Sequence, residues 1–173
     1  MDAIENELHF RKAELADKEK IWKILQQAIT KRKQDGSDQW QDGYPNLQTI
    51  ENDLKNQYGF VLTSKHDVLA YAAVIFDKEP AYEAMKETWL SNGQYVVIHR
   101  VAVSTESAGK GMATHIFEEI EKLAIENKVF SIKVDTNFDN EPMLKILDRL
   151  GYQYCGEVYF RNAARKAFEK LLT

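Results

Sequence analysis

The chain has 173 residues, 44% of them hydrophobic and 29% charged, which is material for one folded domain with a sizeable core. A net charge of -4, with lysines and arginines scattered along the chain, excludes the basic surface that nucleic-acid phosphates demand. With no span-length apolar run, no signal-peptide pattern at Met1-Asp2-Ala3-Ile4-Glu5 and no second cysteine beside Cys155, the expected setting is a reducing cytoplasm rather than a membrane.

In chain order, residues 8–13 alternate loosely and predict a first strand. Asp17 stands at an N-cap position, and Ile21, Leu25, Ala28 and Ile29 recur at helical spacing through to Thr30. Residues 31–46 are polar, carry Gly36, Gly43 and Pro45, and read as a loop with Trp40 and Tyr44 as its aromatics. A short helix is expected over 47–55. Strands over 59–63 and 68–76, joined by the polar turn Lys65-His66-Asp67, predict a hairpin. Residues 80–90, with Glu83, Ala84, Met85 and Lys86, favour a helix.

The β-branched run 95–103 predicts a mostly buried strand. A glycine-bearing turn then opens a helix over 111–127, with Met112, Ile116, Ile120 and Leu123 on its apolar face. A strand over 129–135, a helix over 141–150 ended by Gly151, and a strand over 152–159 follow. Residues 163–172 have helix propensity. No repeat or low-complexity linker interrupts the chain, so residues 1–173 read as a single α/β domain around a mixed sheet.

The sharpest local signal is Val101-Ala102-Val103, then Ala108-Gly109-Lys110-Gly111-Met112-Ala113 opening a helix. A helix N-terminus offers unpaired N–H groups and the positive end of the dipole, and can hold a pyrophosphate without a basic side chain. Gly109 and Gly111 permit unusual dihedrals and close backbone approach, and Ala113 adds only a methyl. The segment is neither a Walker loop nor the three-glycine dinucleotide fingerprint. On local pattern alone, a plain strand-to-helix turn explains it as well.

From residue 95 to residue 160 the chain resembles the GNAT N-acetyltransferase superfamily in three ordered blocks. These are the strand ending in Val101-Ala102-Val103, the loop Gly109-Lys110-Gly111-Met112-Ala113, and Asp135-Thr136 followed by Asn140, Met143, Leu147, Leu150 and Gly151-Tyr152. Gln39-Trp40 and Gly43-Tyr44-Pro45 resemble a group of uncharacterised bacterial members. The resemblance implies a mostly antiparallel twisted sheet flanked by helices, a final strand at 163–172, and a splayed strand pair carrying Val103 and Val134 that forms an acyl-CoA cleft. It implies acetyl-CoA as donor, with coenzyme A as product. The backbone at Val101 and Val103 would pair with the pantetheine arm. The amides of Gly109, Lys110, Gly111, Met112 and Ala113 would hold the pyrophosphate, and Asn140 would contact the neighbouring part of the cofactor. Two departures stand out: Ala108 replaces the usual Arg or Gln, and Leu147 replaces a Tyr that can protonate the departing thiolate.

Acetyl transfer needs a neutral amine, a polarised thioester carbonyl and a leaving thiolate. By resemblance the Val101 N–H is the donor that polarises the carbonyl, in the manner of an oxyanion hole. Strand alternation puts Val97, His99, Val101 and Val103 on one face and Arg100 on the other, where it would anchor a helix through a carboxylate. His99 is the candidate base, since an unperturbed imidazole titrates near working pH; the competing reading is a strand histidine satisfied by backbone. Tyr159 is a candidate replacement acid. Asp135 could bind a cationic acceptor or cap the turn before Asn140. Trp40 and Tyr44 could wall the acceptor site or anchor their loop on the core. His115 reads as surface or packing, Cys155 as a small core residue, and no histidine or carboxylate spacing implies a metal. The expected reaction is transfer to a primary amine of a small molecule, amino acid or peptide. A non-catalytic acyl-CoA-binding or regulatory module is the alternative, and a homodimer is the commonest oligomer on base rates.

Overall fold

The computed structural model describes residues 7–85 and 88–173. Seven strands form a mixed, mostly antiparallel sheet in the order β1-β2-β3-β4-β5-β7-β6. They are β1 (Leu8–Lys12), β2 (Gly59–Ser64), β3 (Asp67–Ile75), β4 (Val96–Val103), β5 (Ser131–Thr136), β6 (Gln153–Phe160) and β7 (Ala163–Leu171). The longer helices are α1 (Lys18–Gln34), α2 (Leu47–Lys55), α4 (Met112–Glu126) and α5 (Glu141–Leu150), and α3 is the single turn Pro80–Glu83. No described helix is long and apolar enough to cross a membrane. This is the α/β class expected. The chain divides into two compact units, one of Met1–Val74 with Arg100–Glu119, the other of Ile75–His99 with Ile120–Thr173.

In the first unit the stripe Ile21, Ile24, Leu25 and Ala28 buries one face of α1 against Ile50, Val61, Val68, Tyr71 and Ala102. Each fully buried aliphatic side chain contributes about 2 kcal/mol. Helix α1 runs a turn past Thr30 because Lys31, Arg32 and Lys33 complement its C-terminal dipole and Lys31 pairs with Asp35 at 2.8 Å. Asp17 precedes α1, but its carboxylate makes no cap hydrogen bond there; it accepts from the Glu14 amide at 2.7 Å and from Arg11 at 2.8 and 2.9 Å. The bounds of α2 match expectation, set by reciprocal Asn46 and Thr49 hydrogen bonds.

In the second unit a core of Tyr82, Trp89, Tyr95, Val97, Val158 and Ala167 forms around β4, β6 and β7. The expected helix over 80–90 is only α3, and Lys86 and Glu87 within that stretch lie outside the described residues. Tertiary anchors override propensity: the Trp89 indole donates to the Tyr82 carbonyl at 2.7 Å, and the Leu90 amide donates to Glu169 at 2.8 Å. The apolar face of α4 runs through Met112, Ile116, Phe117, Ile120 and Ala124 rather than through Leu123, which is half-buried. The 163–172 segment is a strand because it lies between β5 and β6 and pairs with both, Ala167 opposing Asp135 and Gly156. Arg161 and Asn162, with φ of 49° and 64°, make the two-residue turn from β6 to β7. Glu169, fully buried on β7, accepts hydrogen bonds from Leu90, Ser91 and Ser131.

Two features of β4 matter for the site. Its parallel ladder with β5 is three pairs long and ends at Ile98 with Val134, while β4 continues to Val103 and β5 to Thr136. Arg100 has φ of 56°, a left-handed conformation that costs a non-glycine residue about 1–3 kcal/mol. The extended repeat is interrupted there. The expectation that Val97, His99, Val101 and Val103 share one face therefore cannot be carried across residue 100.

Candidate functional site

The loop after β4 is built by local turns. The Ser104 amide donates to the Leu69 carbonyl at 2.8 Å, Thr105–Ser107 form one 3-10 turn, and the Ala108 amide closes on Thr105 at 3.2 Å. Gly109 and Gly111 have φ of 77° and 79°, so the chain reverses twice before Met112 opens α4. A Cβ at either glycine would meet nothing within 4 Å; the requirement is conformational, and the space in front of the loop is open. The Lys110 amide donates to the Ser107 carbonyl at 3.3 Å. Among the described residues the amides of Gly109, Gly111, Met112 and Ala113 have no acceptor, and the Ser104 hydroxyl is buried without a partner. Open amides at the start of a 15-residue helix suit the pyrophosphate of an acyl-CoA.

In the same unit Arg100 is nearly enclosed, its side chain 10% exposed and that of Asp53 3%. Arg100 Nε and Nη2 donate to the two Asp53 oxygens at 2.9 and 2.5 Å, and Nη1 donates to the Tyr44 hydroxyl at 2.6 Å. The Tyr71 hydroxyl donates to Asp53 at 2.6 Å, and burial, together with the Asp53 charge, raises its pKa well above that of an ordinary phenol. Burial opposes the Arg100 charge, but the hydrogen bonds to Asp53, together with the electrostatic pull of Tyr44, Asp53 and Tyr71, raise the pKa of the guanidinium. Arg100 thus anchors α2 through a carboxylate, as its position in the strand predicts. Trp40 is buried in the core, with φ of 64° and the Arg32 guanidinium 5.6 Å from its ring centroid. Both aromatics of this loop thus have partners within the chain, Trp40 at Arg32 and Tyr44 at Arg100.

In the second unit His99, 16% exposed, lies between two carboxylates: Nε2 is 3.7 Å from Glu79 Oε2 and Nδ1 is 3.8 Å from Asp135 Oδ1. Both separations are longer than a hydrogen bond. The His99 ring packs against Tyr82 and edge-on against Phe160, with centroids 6.1 and 5.9 Å away. Asp135 does not cap the turn before Asn140; it accepts from the Tyr82 hydroxyl and from Arg165 Nε. Burial first, then the Asp135 charge, raises the Tyr82 hydroxyl pKa well above that of an ordinary phenol. Glu79 caps α3 through the Ala81 amide at 3.3 Å, while its own amide donates to the Tyr95 hydroxyl at 2.9 Å, whose pKa burial pushes up to about 12.

Strand β6 turns Phe160 to His99 and leaves Tyr159 62% exposed, its hydroxyl on Glu157 at 3.2 Å. Asn140 is buried and caps α5, its oxygen accepting from the Met143 amide at 3.3 Å. Leu147 is fully buried, so the position that carries an acid in the family pattern is core here. His115 is 37% exposed and 3.6 Å from Glu119, and Cys155 is half-buried with its thiol pKa raised by burial. Sequence reasoning missed Glu79 and Asp53. The Glu79-Pro80 pair was the available signal for the first, since proline favours the first position of a helix.

A model of the Acetyltransferase (GNAT) family matches residues 21–152. Among solved structures, a GNAT-family acetyltransferase from Streptococcus agalactiae 2603 is 34% identical, covers 96% of each chain and superposes with a TM-score of 0.87. A Staphylococcus aureus Mu50 protein described as an acetyltransferase is 24% identical over 95% of this chain and 99% of its own, with a TM-score of 0.73. A GNAT-family acetyltransferase from Listeria monocytogenes 4b F2365 is 20% identical over 95% of both chains, with a TM-score of 0.74. No curated protein matches the chain.

Proposed function

Because the chain belongs to the GNAT acetyltransferase family, we propose that residues 1–173 act as one N-acetyltransferase domain, taking acetyl from acetyl-CoA to a primary amine of a small molecule, amino acid or peptide. The observation that carries this is the row of amides without acceptors at Gly109, Gly111, Met112 and Ala113, directly after β4. Those amides hold the donor's pyrophosphate, Val101 and Val103 pair with its pantetheine arm, and Asn140 contacts the arm beyond the phosphates.

The amine nitrogen attacks the thioester carbon. An N–C bond forms, the C–S bond breaks, and the amine proton passes to His99. Glu79 and Asp135 stabilise the imidazolium as it forms. The Val101 N–H polarises the carbonyl. The thiolate, with an ordinary thiol pKa of about 8.5, leaves and takes its proton from solvent, so Leu147 and Tyr159 carry no step. The setting that suits this donor and a chain with a single cysteine is the cytoplasm.

One observation favours a second reading, acyl-CoA binding without turnover: the acid position of the family pattern is the buried Leu147. Calorimetric titration with acetyl-CoA, followed by an amine screen reading free thiol release, tests both. Saturable binding with amine-dependent thiol release supports the transferase. Binding with no release from any amine supports the binding module, and absence of binding at millimolar acetyl-CoA sinks both.

A further inference from the structure

A residue held at φ of 56° in the middle of a strand needs a reason to stay there, and two partners of Arg100, with a third residue behind them, supply it. Asp53 comes from α2, Tyr44 from the segment before α2, and Tyr71, which completes the Asp53 shell, from β3. The planar guanidinium is matched on two edges: Nε and Nη2 take both Asp53 oxygens, and Nη1 takes the Tyr44 oxygen. That pattern fixes the plane and direction of the side chain, and through it the backbone to which it is attached. A glycine at this position would permit the left-handed φ without holding it. The peptide that follows is the one whose N–H belongs to Val101.

We propose that Asp53 is a positioning residue of the donor site: acting through Arg100, with Tyr44 and Tyr71 as struts, it holds the left-handed break in β4 that aims the Val101 amide at the thioester carbonyl. This rests on the acetyl-transfer reading above. It also makes residues of α2 and its preceding loop part of the apparatus that reads the acetyl group, although none of them belongs to the phosphate loop.

The test compares calorimetric affinities of the full chain for acetyl-CoA and for CoA, which differ by the acetyl group. The wild type is expected to prefer acetyl-CoA by about tenfold, the worth of one good hydrogen bond to the carbonyl. Asp53→Asn should bind CoA as the wild type does and lose the preference, and Tyr44→Phe should lose part of it. Asp53→Asn combined with Arg100→Gly should recover part of it, because glycine adopts the positive φ without steric cost although nothing then holds it there. A merely structural role would weaken both ligands together. If Asp53→Asn does not fold by thermal melting, Tyr44→Phe and the double variant carry the same comparison. A wild-type ratio near one, or a ratio unchanged in the folded variants, overturns the positioning role while leaving the transferase reading intact. Failure of the wild type to bind either ligand overturns both.

Discussion

The Nε2 of His99 faces the Glu79 carboxylate across 3.7 Å, at the point where β4 leaves the second unit. Glu79 is fixed from behind, capping α3 with one oxygen and bonding Tyr95 with its amide.

His99→Ala should lower kcat by roughly 10²- to 10³-fold with acetyl-CoA affinity unchanged, the range expected for loss of a general base. Glu79→Gln should give an intermediate loss. Steady-state kinetics beside calorimetry separate the two quantities. A His99→Ala protein that keeps more than a tenth of wild-type turnover removes His99 from this role.

Gly111→Val should weaken acetyl-CoA binding at least tenfold while the protein stays folded. Nothing lies within 4 Å of a Cβ at residue 111, so the damage comes from the φ of 79°, which a β-branched residue resists. Titration of the variant and a thermal melt check both halves. Unchanged affinity would place the phosphates elsewhere.

Asp17 supplies a pH signature. Its hydrogen bonds from Arg11 hold the carboxyl below the ordinary range, so its contribution to stability is present above the unfolded pKa of about 3.9 and is lost as pH falls through the lower folded value. In denaturant titrations Asp17→Asn should be less stable than the wild type by a constant margin from about pH 5 to 8, and the margin should close below about pH 4. A margin that persists at low pH would mean the pair acts by shape rather than charge.

Glu169→Ala should cost about 3 kcal/mol by leaving the part-buried donors of Leu90 and Ser91 and the buried donor of Ser131 without an acceptor. Chemical denaturation measures it. A loss under 1 kcal/mol would show that water replaces the carboxylate.

Elements with local end signals were legible from sequence. Helices α2 and α5 have their expected bounds because Asn46 and Asn140 cap one end and Gly151, at φ of 89°, closes the last turn of α5. The turn from β4 into α4 was legible for the same reason, since its two glycines and the following helix lie within a few residues of one another. What escaped depends on partners distant in the chain. The single turn of α3 is set by Trp89 and Glu169, the latter 79 residues from Leu90. The left-handed Arg100 answers to Asp53, 47 residues away, and no pattern in 95–103 announces it. Asp135 looked free to cap a turn because Arg165, its partner, lies 30 residues on.

The placement of β7 has a consequence for how the second unit comes into being. Synthesis delivers β5 and β6 first, yet neither pairs with the other; both wait for the strand that comes after them in the chain. Until residues 163–171 leave the ribosome, β6 has no strand partner and one edge of β5 stays open. Release of that strand is therefore the step that joins β6 to the rest of the sheet and ends the nascent chain's exposure to mispairing. A message or protease that stops short of Ala163 removes the keystone rather than a tail.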